Sequence, residues 1–151
     1  MLPVQRVLPS GTVTFLFTDV EGSTRLLHEL GAEAYAEALF HHRRVLRAAF
    51  GAHGGVEVDT QGDAFFVAFP TAPSALAAAA AGLEELSTGA IRVRTGVHTG
   101  TPHVGREGYV GVDVHRAARI AAAGHGGQVL ISASTAALPA TTGCGTSAST
   151  A

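Results

Sequence analysis

A carboxylate that ends a buried strand, followed at once by a glycine turn that opens a helix, can hold a phosphate and a hard cation side by side. Residues 17–24, FTDVEGST, have that form. Residues 12–18 are β-branched and aromatic, bounded by Gly11 and Asp19, and read as a buried strand. Glu21-Gly22-Ser23 reads as the turn, with Ser23 as the N-cap of a helix that runs through Leu30 and stops at Gly31. Backbone N–H groups at such a turn, together with the positive end of a helix, form an anion cradle. Asp19 beside the cradle suits Mg²⁺, which takes one or two carboxylates and completes its shell with substrate phosphates. Taken alone, the same residues also read as a capped strand-to-helix turn with Asp19 on the surface.

A second carboxylate gives the first its meaning. Gln61-Gly62-Asp63 joins two short strands, residues 56–60 and 64–69, as a hairpin with glycine in the turn. If this hairpin lies beside the first strand, Asp19 and Asp63 come within a few ångström. Two carboxylates that close repel unless a cation neutralises them, and the pair then matches a two-metal clamp for in-line displacement at phosphorus.

The elements that must position these groups alternate along the chain. Residues 33–50 read as a helix with Tyr35, Leu39, His42, Leu46 and Phe50 on one face. Arg43, Arg44 and Arg47 fall largely elsewhere and are expected to be solvated, and the adjacent His41 and His42 point apart. Pro70 ends the hairpin, and Pro73 opens a helix through the alanine block to about Leu86. Residues 91–98 alternate as a strand, 99–107 form a glycine turn or hairpin, 110–123 a helix and 128–132 a last strand. His98, His103 and His125 lie near strand ends or glycine loops and are expected to be solvated. The order β, αα, ββ, α, β, α, β predicts an α+β domain with helices packed on a mainly antiparallel sheet. Residues 1–10 read as a lead-in, 11–138 as the domain and 139–151, with Cys144, as a disordered tail.

Composition removes several alternatives. A chain of 151 residues with 46% hydrophobic and 15% charged residues makes one domain and is not disordered as a whole. A single cysteine excludes an intramolecular disulfide and a cysteine zinc cage. All 10 basic residues are arginine, so a Walker P-loop, whose lysine reaches the phosphates, is absent, as is lysine Schiff-base chemistry. A net charge of −2 argues against broad nucleic-acid binding. No apolar run spans a bilayer and no signal pattern opens the chain, so a soluble, cytoplasmic protein is expected.

The stretches 12–24, 56–69 and 109–120 together resemble the three signature regions of the class III adenylate/guanylate cyclase catalytic domain, a likeness that covers roughly residues 11–132. The resemblance implies a ferredoxin-like, palm-type sheet and conversion of ATP, or GTP, to the 3′,5′-cyclic nucleotide and pyrophosphate. It implies two Mg²⁺ or Mn²⁺ ions per site on Asp19 and Asp63, with the backbone carbonyl of Val20 also facing a metal. The N–H groups of Glu21, Gly22 and Ser23 would hold the triphosphate, and Arg119 would stabilise charge at the α-phosphate. It also implies a head-to-tail homodimer in which the carboxylates and the arginine of one site come from opposite subunits, and a place among the domains of a larger regulator.

Three positions depart from the family pattern. His115 stands where the family has a ribose-binding asparagine. Asp59 stands at the adenine-reading lysine and Gly108 at its partner aspartate. The family also continues past the last strand with a further hairpin that carries a phosphate-binding lysine, so the domain is expected to be incomplete at its C-terminus. These departures keep open a second reading, a degenerate cyclase-homology domain that binds nucleotide or dimerises as a regulatory module without catalysis. A diguanylate cyclase is disfavoured, because residues 60–66, TQGDAFF, lack its Gly-Gly-acidic-acidic-Phe hairpin.

Overall fold

In the computed structural model, which describes residues 7–137 and the backbone of 148–150, strand β1 (Val13–Val20) lies between two antiparallel neighbours. One is β3 (Ala64–Phe69), which forms a hairpin with β2 (Val56–Gln61); the other is β4 (Val93–Gly100). Beyond β4, β7 (Val129–Ile131) and β8 (Ala148–Thr150) add in parallel, giving the order β2-β3-β1-β4-β7-β8. The mainly antiparallel α+β architecture is the one the pattern of elements predicts. Three residues of the expected tail are paired as β8; its remainder, including Cys144, lies outside the described residues.

Strand alternation divides the side chains of β1 between two layers. Leu16 and Val20 enter the larger core, with Leu46 and Phe50 of helix α2 (Ala32–Ala52) and with Ala75, Ala78 and Leu86 of helix α3 (Ala72–Leu86). The alanine block does more than favour a helix. Its small residues, with Gly82, let α3 approach α2 so closely that a Cβ at Gly82 would sit 2.7 Å from a methyl carbon of Leu46. Thr71 caps α3 by accepting from the Ser74 N–H at 3.3 Å.

The odd-numbered residues of β1 face the other way. Val13 and Phe15 form a smaller cluster with Ala68 and with Ala117 of helix α4 (Val112–Ala122), and Phe17, Phe66 and Tyr109 pack on it. Tyr109 lies in a small hairpin, β5 (His103–Gly105) and β6 (Gly108–Val110). Its ring meets Phe15 edge-on and its hydroxyl donates to the Pro9 carbonyl at 2.6 Å, so the lead-in is tied down here. Burial pushes the Tyr109 phenol up to about 12.

Helix α1 (Ser23–Leu30) opens differently from the expectation. Its N-cap is Gly22, in the left-handed region at φ 62°, and Ser23 is the first helical residue and makes no side-chain cap. A short helix absent from the sequence expectation, α5 (Ala133–Ala136), follows β7 and is capped by Ser132. Among the described residues no helix is long and apolar enough to cross a membrane.

Candidate active site

Position in the sheet brings the two predicted carboxylates to one end of the molecule. Thr18 pairs with Phe65, so Asp19 at the end of β1 lies next to the start of β3, which Asp63 precedes in the hairpin turn. That turn has two residues, Gly62 and Asp63, and Gly62 takes φ 57°, the left-handed conformation that a tight hairpin asks of its first central residue. Arg43 donates to the Gly62 carbonyl from α2. Arg47 pairs with Glu57 at 3.0 Å and lies over the Phe65 ring. Arg43 and Arg47 are therefore bound to the hairpin, while Arg44 and Arg47 keep the expected exposure and Arg43 is half-buried.

Asp19 follows Phe17 in the alternation of β1 and so faces the α4 side. There it meets Arg94, its cross-strand partner on β4. The guanidinium donates from Nε to Oδ1 at 2.7 Å and from Nη2 to Oδ2 at 2.6 Å, the forked geometry of a charge-assisted pair. Both side chains are partly buried. These hydrogen bonds hold the Arg94 pKa above its ordinary value against the effect of burial, and the charges of Asp19, Glu21 and Asp63 add to the rise. Three carboxylates thus act on one guanidinium.

Every second residue of β4 then faces α4, which lies antiparallel to the strand. Arg94 reaches the Ala122 carbonyl at 3.5 Å. A Cβ at Gly96 would sit 2.2 Å from the Ala117 carbonyl oxygen, and one at Gly100 2.3 Å from a carboxylate oxygen of Asp113, so these glycines set how closely α4 approaches. His98 is buried rather than solvated. Its Nε2 shares a 2.7 Å hydrogen bond with Asp113 and its Nδ1 one of 2.8 Å with Ser132, joining α4 to the cap of α5. His103 and His125 are exposed, as expected.

The helix so positioned forms one wall of an open groove of about 430 Å³, lined by Phe17, Ala64, Phe66, Val114 and Ala118 together with Asp59, Gln61 and His115. Two of the family-derived positions, Asp59 and His115, therefore share one cavity. Asp59 accepts from the Thr60 N–H and from the Gln61 side chain, both at 2.9 Å, which fixes its carboxylate at the mouth of the hairpin. His115 and Arg119 are exposed on α4. Gly108 instead begins β6 at φ 119° and does not line this groove. Val20 sends its side chain into the opposite core, so any part it plays falls to its backbone.

The cradle is partly committed. The Glu21 N–H donates to the Arg92 carbonyl at 3.0 Å, and the Glu21 carboxylate accepts from the Gly126 N–H at 2.9 Å. This departs from the expectation that Glu21 offers its N–H to a phosphate. Gly22 and Ser23 stand at the opening of α1, where a helix leaves its first N–H groups without intrahelical partners.

The sequence profile described as the adenylate and guanylate cyclase catalytic domain matches residues 6–148. The chain belongs to this family. An uncharacterised protein of Mycobacterium tuberculosis is 43% identical over 136 residues, which cover 89% of this cyclase-family chain and 47% of the relative. An adenylate cyclase of Lachancea kluyveri is 34% identical over 82% of this chain and 8% of its own length. This cyclase-family chain thus spans about half the length of the mycobacterial relative. Among solved structures, an adenylate cyclase of Trypanosoma brucei in its monomeric state superposes with a TM-score of 0.75 at 25% identity, covering 88% of this chain and 77% of the other. The guanylate cyclase domain of a Catenaria anguillulae protein, in complex with GTP, shares the fold with a TM-score of 0.72 at 24% identity, over 83% of this chain and 80% of its own.

Reasoning from sequence missed Arg94 and the β4 face that positions α4. The signal was present in residues 94–100, RTGVHTG, where alternate positions carry Arg94, Gly96, His98 and Gly100. Such a row of charged, small and polar residues on one side of an otherwise apolar strand marks a face that a helix approaches closely.

Proposed function

We propose that this cyclase-family domain converts ATP to 3′,5′-cyclic AMP and pyrophosphate at a site completed by a second copy of the chain. The placement of Asp19 and Asp63 at one end of adjacent strands, beside the Gly22 turn that opens α1, carries the proposal. The donor set fits Mg²⁺ or Mn²⁺. Both side chains offer hard oxygens, the Arg94 guanidinium already stands as a cation among them, and no third metal-ligating side chain converges there among the described residues. Substrate phosphates would complete the shell of such a cation. When bound, the divalent ions would lower the pKa of the ribose 3′-hydroxyl and neutralise the triphosphate.

The chain's own groups supply the rest. The ribose 3′-oxygen forms a bond to the α-phosphorus, the bond from that phosphorus to the bridging oxygen breaks, and pyrophosphate leaves; the hydroxyl proton passes to water. Gly22 and Ser23 hold phosphate oxygens through their N–H groups. In the partner copy, Arg119 stabilises the charge that builds on the α-phosphoryl group, His115 donates a hydrogen bond to the ribose, and the groove beside Asp59 receives the base. Exposed Val104, Val110 and Val112 lie on the β5–β6 hairpin and at the opening of α4, an apolar rim suited to the second copy.

Formation of cyclic AMP from ATP and Mn²⁺ by the purified chain, compared with Asp19→Ala, tests this. We expect a loss of roughly a hundredfold or more in the variant, the scale seen when a group that stabilises transition-state charge is removed. Absence of product from a folded dimer, or equal yield from Asp19→Ala, refutes it. A regulatory module that binds nucleotide without turnover is the second reading, favoured by the Glu21 N–H already donated to Arg92. Tight binding of a non-hydrolysable ATP analogue without product would select it.

A further inference from the structure

His98 has no part in the chemistry assigned so far, yet three elements meet at its ring. It is buried on β4. A carboxylate accepts, so the ring donates from Nε2 to Asp113 at 2.7 Å, and its Nδ1 accepts from the Ser132 hydroxyl at 2.8 Å. Ser132 is itself fixed. Its N–H donates to the Val97 carbonyl at 3.0 Å, and its oxygen caps α5 and meets Thr135 Oγ1 at 3.1 Å. From Thr135 the chain of hydroxyls runs on to Thr99 and then Thr14, each step 3.0 Å, and so ends on the central strand β1. The imidazole is held from behind by the sheet, and its other arm holds the helix.

Helix α4 needs such a hold. Gly96 and Gly100 let it lie close on β4, and for the same reason they offer no side chain to fix its place along the strand. Asp113 stands in the first turn of α4, where the N-cap Gly111 makes no side-chain cap, and its carboxylate lies over Gly100 and against His98. His115 and Arg119 follow on the same helix, about 3 and 9 Å further along its axis. A misplacement of roughly 1 Å in a group that acts on the reacting atoms costs about a hundredfold in rate.

We infer that His98 is a positioning residue: through Asp113 it fixes where α4 sits along β4, and so where Arg119 and His115 stand in the site they complete. The inference rests on the two-chain site proposed above.

Pairs of differently tagged full chains, co-expressed and purified through both tags, test it by cyclic AMP formation from ATP and Mn²⁺. Asp113→Ala in both chains is expected to lose roughly a hundredfold in rate. Paired with Asp19→Ala it should recover to about half the parent's activity, because one of the two sites then combines intact metal ligands with an unshifted α4. Paired with Arg119→Ala it should stay low, since both chains then bring a faulty α4. Asp113→Asn keeps an acceptor for the Nε2–H and should stay within about threefold of the parent. His98→Ala should repeat the Asp113→Ala pattern; if it does not fold, the partly exposed Asp113 carries the comparison. Full activity of Asp113→Ala, or an equal loss in Asp113→Asn, overturns the positioning role. So does a failure of Asp113→Ala to recover with Asp19→Ala when Asp19→Ala and Arg119→Ala rescue each other. No recovery in that last pair refutes the two-chain site itself, and the inference with it.

Discussion

The two faces of the sheet are built on opposite principles. On the α2–α3 face, large side chains fill the space: Phe65, Phe69, Leu16, Val67 and Val97 are fully buried there and meet Leu46 and Phe50 of α2 and the largely alanine stripe of α3. On the α4 face, the strand gives up volume at Gly96 and Gly100, the buried cluster is small, and an open groove and a charged end remain. The first face supplies the stability that lets the second hold a partly buried ion pair, an exposed histidine and a glycine-lined helix contact. A methyl group added at Gly82 on the first face meets the end of the Leu46 side chain, whereas one added at Gly96 on the second meets backbone and displaces the helix that carries His115 and Arg119.

The largest effect that would break this division is on the filled face. Phe65→Ala removes a ring that packs against Phe50 and His42, and should cost about 3–5 kcal/mol in urea unfolding. Among the described residues, His42 is the buried ionisable side chain of that layer. It is fully buried, neither ring nitrogen has a hydrogen-bond partner, and burial drives its pKa down to about 4, with Leu39 opposing and Arg43 adding to the fall. The folded form therefore binds fewer protons than the unfolded chain between about pH 4 and the ordinary histidine value of 6.5. Its contribution is complete above that window and is lost as pH falls through it, by about 3 kcal/mol. His42→Leu should abolish this share of the acid sensitivity when unfolding is compared at pH 7 and 4.5. At pH 7 it should leave stability within about 1 kcal/mol of the parent, because no hydrogen bond is lost.

A change smaller than the loss of the Phe65 ring should carry the sharpest distinction between the faces. Gly96→Ala places a methyl group against the backbone of Ala117 and Ala121, and α4 must shift, at about 1–3 kcal/mol. Amide hydrogen exchange should then quicken along α4 while the amides of α2 and α3 keep their protection. Uniform quickening across both layers would mean that the faces do not separate in this way.

Much of this was legible in the sequence, and what was not has a physical cause. Strong periodicity placed every strand from β1 to β4, and β3 was read at its observed bounds. FTDVEGST and the Gly62-Asp63 turn located the acidic end because a carboxylate at a strand end and a positive-φ glycine are local signals. The Arg94–Asp19 pair joins residues 75 apart in sequence, and only the register of two strands brings them together. The burial of His98 likewise depends on Asp113 and Ser132 arriving from two other elements. The N-cap was misplaced by one residue because a left-handed glycine did the work expected of the serine hydroxyl.

The alternation of β1 has one more outcome. Asp19 faces α4 only because Leu16 and Val20 are drawn into the opposite layer, and a slip of a single position would turn the carboxylate toward grease and leave a valine at the mouth of the cleft. The same hydrophobic arithmetic that folds the strand therefore also aims its acid, so insertions or deletions between Val13 and Asp19 should abolish chemistry and folding in one stroke.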